Sequence, residues 1–291
     1  MIKFIKYSLT VLFTFFSLLG FSQEFKNEED RKKHADKLFD KGKYVEASPH
    51  ILHFLSLNQT SPEYNFKYGV CLMYSDEDKE KSLRYLKFSA NKGGGGDSRV
   101  YFFLGKSYHL NYNFKAALVN YNKFKAEGEE NYKKDLEVDL HIKMCSNGKK
   151  LLQNLTELVV YEKTGGKILV SAEFQSKYDK KIGYKSVVYF PPLNQDVLFY
   201  SSYGKDGSTG LDLYMVRRAA TGGWGDPVKL PGNINTPYDD AYGFLHADGK
   251  SFYFSSKGHN SMGGYDVFKV DYDVQVNQFG TPKNLDYKIN T

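Results

Sequence analysis

Four consecutive glycines, Gly93 to Gly96, are the first residues along the chain whose backbone could hold an anion, because successive N–H groups of a glycine-rich turn converge on a phosphate. A phosphate loop of that kind needs Lys and then Ser or Thr after its last glycine, and a strand before it. Here Asp97 follows and a helical pattern precedes, so the run is expected to be a flexible connection. Nucleophile chemistry has three candidates at Ser-x-x-Lys spacing: Ser89 with Lys92, Ser146 with Lys149, and Ser202 with Lys205. They are scattered through a lysine-rich chain, and neither Gly-x-Ser-x-Gly nor His-Glu-x-x-His occurs. The seven histidines are isolated from one another in sequence. Asp212 and Asp266 could ligate a cation, but aspartates at equivalent places of a repeat are what structural turns produce. Asp271, Asp273 and Asn277 have carboxylate spacing without the glycine and the distal glutamate of a calcium loop. The expectation is therefore no catalytic residues, no metal and no cofactor.

Cys71 and Cys145 are the only thiols. Both lie among apolar residues of a helical pattern, near Leu72 and Met144, and read as two small buried groups. A bridge between them is the alternative, since sequence does not fix their separation.

The elements that carry these residues divide the chain in two. From 27 to 157 the apolar residues recur at helical spacing, and the clearest unit runs Tyr101, Leu104, Gly105, Tyr108, Ala117, Tyr121, Phe124. Gly69, with Tyr68 and Leu72 beside it and Ser82 and Leu86 following, stands 36 residues before Gly105; Ala35, with Leu38, Ala47, Ile51 and Phe54, stands 34 before Gly69. Small residues such as Gly105 and Ala117 are expected where two antiparallel helices cross, and a further helix over 133–153 is expected to cap the stack. The layout resembles the tetratricopeptide repeat, in which an aromatic, Leu, Gly and Tyr mark the first helix and Ala and an aromatic mark the second; three units are the least that such a stack needs.

From 158 to 291 short apolar and aromatic runs alternate with Gly, Asn, Asp and Pro, the pattern of strands and tight turns. Val197-Leu198-Phe199-Tyr200-Ser201-Ser202 recurs 54 residues later as Ser251-Phe252-Tyr253-Phe254-Ser255-Ser256, and Gly210-Leu211-Asp212-Leu213-Tyr214 as Gly264-Tyr265-Asp266-Val267-Phe268. Trp224, Pro227, Leu230, Ile234 and Asn235 recur 55 residues later as Phe279, Pro282, Leu285, Ile289 and Asn290. Asp248 and Gly249 supply a hairpin turn before the second Phe-Tyr-Phe strand, whereas the first copy has Asn194-Gln195-Asp196 there. These units resemble the WD-like propeller blades of the TolB type. Residues 161–291 hold about 2.4 such periods, fewer than a closed ring of about four to eight blades. The fold expected is thus multidomain, α then β: a tetratricopeptide-type α-solenoid followed by an incomplete β-propeller, either a fragment or a truncation with an open strand edge.

Lys3 and Lys6 precede an uncharged run from Tyr7 to Phe21 and the polar stretch that begins at Gln23, the order of a signal peptide over 1–22; the run is marginal as a membrane span. Without Lys3 and Lys6 the chain has 38 basic and 34 acidic residues, too small and dispersed an excess for nucleic acid. Its 24 tyrosines and 22 phenylalanines suit repeated packing layers.

The order of signal peptide, helical repeats and TolB-type blades resembles the amino-terminal part of the OmpA-family envelope proteins of the type IX secretion and gliding kind. That resemblance implies a non-enzymatic scaffold in the periplasm or at the outer membrane, binding envelope proteins or peptides through the helical repeats. It implies peptidoglycan binding only through later domains that lie outside these residues. The competing expectation is a propeller that binds or processes carbohydrate, since aromatic-rich blades stack on sugars and paired carboxylates can act on them. The propeller portion of a serine peptidase would need a hydrolase domain besides.

Overall fold

The computed structural model describes residues 25–75, 79–153, 169–171, 173–191 and 196–290. The expected signal peptide, the boundary at 157–158 and most of the Asn194-Gln195-Asp196 turn lie outside the described residues. An α layout is followed by a β layout. Among the described residues, helices α1 (Glu28–Asp40) and α2 (Tyr44–Leu57), α3 (Pro62–Met73) and α4 (Lys79–Asn91), and α5 (Arg99–Leu110) and α6 (Phe114–Glu127) form three successive pairs, each helix packing on the next.

The helix starts follow from the sequence. Asn27, Ser61 and Asn113 each accept a backbone N–H three residues on, which satisfies a donor that the first turn leaves unpaired, and Pro62 takes a place where no N–H is needed. Lys67 ties the first two pairs together from α3, its Nζ 2.7 Å from Asp36 Oδ1 and 2.6 Å from Glu63 Oε1.

Phe39, Phe66, Phe102, Phe103, Tyr121 and Phe124 fill one continuous core along the stack. Gly69 and Gly105 face it: a Cβ on Gly69 would come within 2.8 Å of Leu86, and one on Gly105 within 2.8 Å of the Tyr121 ring. Ala117 is fully buried on α6, and Tyr108 is half-buried with Lys87 Nζ 5.2 Å from its ring centre. Cys71 and Cys145 are both free, and burial pushes each thiol up to about 12.

Two details differ from expectation. The glycine run is a packed turn, with positive φ at all four residues; Gly94 sits against Val100, and a Cβ on Gly95 would lie 2.9 Å from the backbone N of Glu63. Only glycine fits both the left-handed backbone and the close approach to α3. The single capping helix over 133–153 is instead two, α7 (Glu130–Asp135) and α8 (Val138–Leu151), separated where Glu137 adopts φ +49. A helix cannot run through a left-handed residue, so α8 starts afresh and packs on α6.

In the β half, β1 (Leu169–Ser171), β2 (Ser186–Tyr189), β3 (Val197–Ser202), β4 (Asp212–Arg217) and β5 (Val228–Lys229) make one antiparallel sheet in chain order. The second sheet pairs β6 (Asp240–Leu245), β7 (Ser251–Ser256), β8 (Asp266–Asp273) and β10 (Lys283–Asn284) as the order β10-β8-β7-β6, with β9 (Gln278–Phe279) pairing antiparallel with the end of β8. The sequence offset is thus an offset of strands, β3 to β7 and β4 to β8. Asn235 and Asn290 are also equivalent: each accepts the N–H of the first interior residue of β4 or β8, Leu213 or Val267, and donates back to its carbonyl.

Sheet faces meet through Val197, Phe199, Leu213 and Met215 from the first and Phe252, Phe254, Phe268 and Val270 from the second, one alternation of each strand. The turn before β7 has Gly249 at φ +68 and Asp248 Oδ1 accepting the N–H of Lys250 and of Ser251, both at 2.8 Å. Among the described residues one helix, α9 (Lys177–Ile182), falls within the β half. Ser176 and Asp179 form a capping box and Gly183 closes it at φ +73, a Ser-x-x-Asp signal that could have been read from sequence.

Candidate functional site

A cleft of about 680 Å³ opens where the helical stack meets the second sheet. Its helical wall comes from the C-terminal part of α5, the loop after it, the start of α6 and the first turns of α8: Leu110, Tyr112, Phe114, Leu140 and Met144. Its sheet wall comes from the loops that precede β6 and β8, with Pro237, Tyr238 and Tyr265, and from the segment after β10, with Ile289. Opposite charges are distributed between the walls: Lys106 and Glu137 from helices, Lys257 and Asp239 from the sheet. Lys257 Nζ is 2.7 Å from Asp239 Oδ2, while Lys106 Nζ donates to Tyr74 Oη at 2.8 Å. Among the described residues no serine, threonine or cysteine lines the cleft.

A chain of hydrogen bonds fixes the two walls. Asn284 Nδ2 donates to Asp266 Oδ2 at 2.7 Å, and the same oxygen accepts the Met262 N–H at 2.8 Å. The Met262 carbonyl accepts from His109 Nε2 at 2.5 Å, and His109 Nδ1 stands 3.4 Å from Tyr121 Oη. His109 thus carries its proton on Nε2, because a carbonyl can only accept. Gly263 lets the ring in: a Cβ there would lie 2.7 Å from Nε2. Asn147 of α8 adds a bond to the Ser261 carbonyl, and Tyr112 meets Tyr287 edge-on at 5.2 Å.

Burial lowers the pKa of His109, and burial pushes His141 down to about 3 with Lys106 adding repulsion. His141 stacks on Tyr121 at 5.4 Å between ring centres, and its Nδ1 is buried without a partner. Both shifts favour the neutral imidazole. His141 is held by ring stacking and His109 by its hydrogen bond to Met262.

The residues singled out from sequence are not gathered in one place. Gly69, Gly105, Tyr108 and Ala117 belong to the helical core, and Asp248 and Gly249 to the turn between β6 and β7. Asp212 and Asp266 begin β4 and β8, both buried, each with Oδ1 unpartnered. Asp212 Oδ2 accepts from Thr209 and from Lys229, so the equivalent aspartates brace different loops. Only Asp266 reaches the cleft, through Met262. His109, Met262 and Gly263 carried no signal, because nothing local distinguishes a histidine whose partner is 153 residues away. Asp273 and Asn277 turn the chain, Asp273 Oδ1 accepting the Gln275 N–H and Asn277 Oδ1 accepting from Tyr272. Among the described residues no three His, Cys, Asp or Glu side chains come together as a metal site.

Burial raises the Asp266 carboxyl to about 6, with the Met262 N–H and Asn284 holding it below a still higher value. A folded value above the unfolded one means that the contribution to stability is full below about pH 4 and is lost as pH rises through about 6. Asp266→Asn keeps an acceptor and removes the charge. It is expected to exceed the parent in stability at pH 7 by on the order of 2 kcal/mol, and to lose that advantage below about pH 4. Urea unfolding at the two pH values tests this; a gap that persists in acid would assign the effect to packing.

The chain matches no protein-family model, and no curated protein matches it.

Proposed function

We propose that this chain is a non-enzymatic scaffold of the bacterial envelope, working in the periplasm or at the outer membrane, and that the cleft between its halves holds a segment of another envelope protein. In this reading the helix pairs are a tetratricopeptide-type solenoid and the sheets are blades of an incomplete TolB-type propeller, as in the OmpA-family proteins of type IX secretion and gliding. The observation that carries it is the cleft itself: about 680 Å³ with apolar walls and four charges at its margin, built jointly by two repeat modules that a buried hydrogen-bond chain locks together. Pockets of that size with few, fixed polar groups suit the anchoring side chains of a polypeptide. Among the described residues the lining has no Ser, Thr or Cys and its two histidines are packed with shifts that favour the neutral form, which offers little for nucleophilic catalysis.

Photo-crosslinking in the native envelope tests this. A benzophenone side chain at Tyr112, on the cleft, is expected to give a discrete protein adduct, and one at Val274, an exposed residue of the turn after β8, to give none. Leu110→Arg, which places a long charged side chain in the cleft, should reduce the Tyr112 adduct at least tenfold. Adducts of equal yield from both positions, or an adduct indifferent to Leu110→Arg, would reject the cleft as the binding site.

A further inference from the structure

At one end of the two sheets five tyrosines surround the Asp239–Lys257 pair. Tyr178 of α9 and Tyr184 before β2 both meet Tyr203, with ring centres 6.2 and 5.2 Å apart, and Tyr242 of β6 meets Tyr265 at 6.1 Å. Lys257 joins the groups: its Nζ is 4.7 Å from the centre of the Tyr265 ring and 2.7 Å from Asp239 Oδ2. Asp239 Oδ1 accepts the Leu211 N–H at 2.9 Å. Tyr203 lies within electrostatic reach of Asp239, Lys257 and Tyr265.

Tyr242 is the residue that packing does not explain. Its backbone is left-handed, φ +56, at the bulge where the β6–β7 register shifts between Ala241 and Phe244, and 57% of it is exposed. A bulky non-glycine residue in that region is strained, and a bulge re-aims a side chain out of its strand. Strain spent to hold an aromatic ring in water, beside Tyr265 at 38% exposure, directs attention to a ligand.

We infer that this tyrosine cluster binds an uncharged oligosaccharide, with the rings of Tyr242, Tyr265 and Tyr203 as stacking faces and the Asp239–Lys257 pair as the acceptor and donor for sugar hydroxyls. Sugars present C–H faces to aromatic rings and hydroxyls around the edge, and tyrosine matches both with an apolar body and a polar tip. The central pair has no excess charge to select an anion or a cation. Lys257 has ammonium protons beyond the one on Asp239, so the pair can donate as well as accept. This site shares Asp239, Lys257 and Tyr265 with the cleft wall, whereas Tyr242 and Tyr203 lie outside the cleft lining, and it does not depend on the scaffold reading.

Ligand-observed NMR of the full chain with a panel of neutral gluco- and N-acetylglucosamine tetrasaccharides, α- and β-linked, tests it, with an uncharged tyrosine-free decapeptide as a second probe. Saturable transfer to at least one tetrasaccharide is expected. Tyr242→Gly relieves the left-handed strain, so it should melt no lower than the parent and yet weaken sugar binding at least tenfold; Tyr203→Ala is expected to weaken it similarly. Binding of no tetrasaccharide, sugar binding untouched by Tyr242→Gly, or binding of the peptide in place of every sugar would each overturn the proposal. The Tyr112 crosslink should survive in Tyr242→Gly, so loss of sugar binding and loss of the protein partner are read separately.

Discussion

Asn235→Ala is expected to cost about 3 kcal/mol of unfolding free energy, the larger effect of the two equivalent asparagines in the β half. Asn235 is 7% exposed, and its side chain makes three bonds: Oδ1 accepts the Leu213 N–H at 2.8 Å, and Nδ2 donates to the carbonyls of Leu213 at 3.0 Å and Leu230 at 2.9 Å. Truncation leaves the Leu213 N–H and the Leu230 carbonyl without these partners, while the Leu213 carbonyl still accepts the Leu230 N–H. An unsatisfied buried group costs about 1–3 kcal/mol, and the two are not additive because the bond from Leu230 to Leu213 holds the loop in place. Asn290 makes the equivalent bonds to Val267 but is half-buried, with a longer return bond of 3.3 Å. Water can replace its side chain, so Asn290→Ala should cost only about 1 kcal/mol. Urea midpoints of the two variants decide it: equal losses would mean that burial does not set the cost.

Gly105→Leu is expected to destabilise by about 1–3 kcal/mol, with most of the loss in the helical half. The first atom added is already too close, 2.8 Å from Tyr121 Cδ1 and 2.9 Å from Cε1. Tyr121 cannot yield, because it is fully buried, lies 5.4 Å from the ring centre of Phe102 and stacks on His141. Pushing it also moves the hydroxyl that faces His109, so the junction with the sheets is disturbed from the inside. Gly42→Ala is the matched control: it sits at φ +72 with nothing within 4 Å of its Cβ, so it tests backbone strain without a clash. Thermal unfolding of Gly105→Ala, Gly105→Leu and Gly42→Ala separates the two costs. A melting temperature of Gly105→Leu equal to that of the parent would mean that α5 and α6 do not meet at this glycine.

The repeats of both halves were legible because they are local. Strands that pair with their chain neighbours repeat the same strand order, so the 54-residue offset appears in the letters of β3 and β7 before any contact is known. Opposite alternations nonetheless face the sheet interface, Val197 and Phe199 in β3 and Phe252 and Phe254 in β7. Helices that pack on the next helix leave the same small residue at each approach, and Gly69 and Gly105 mark it. The break at Glu137 had no such mark, since glutamate favours helix and only the packing of α8 on α6 requires a left-handed residue there. The cleft and the tyrosine cluster were also silent. Periodicity tells which face of an element leaves water but not what covers it. His109 against Met262, and Tyr203 near Tyr265, are set by how two modules dock and how two sheets align, at separations where the letters of one partner carry no trace of the other.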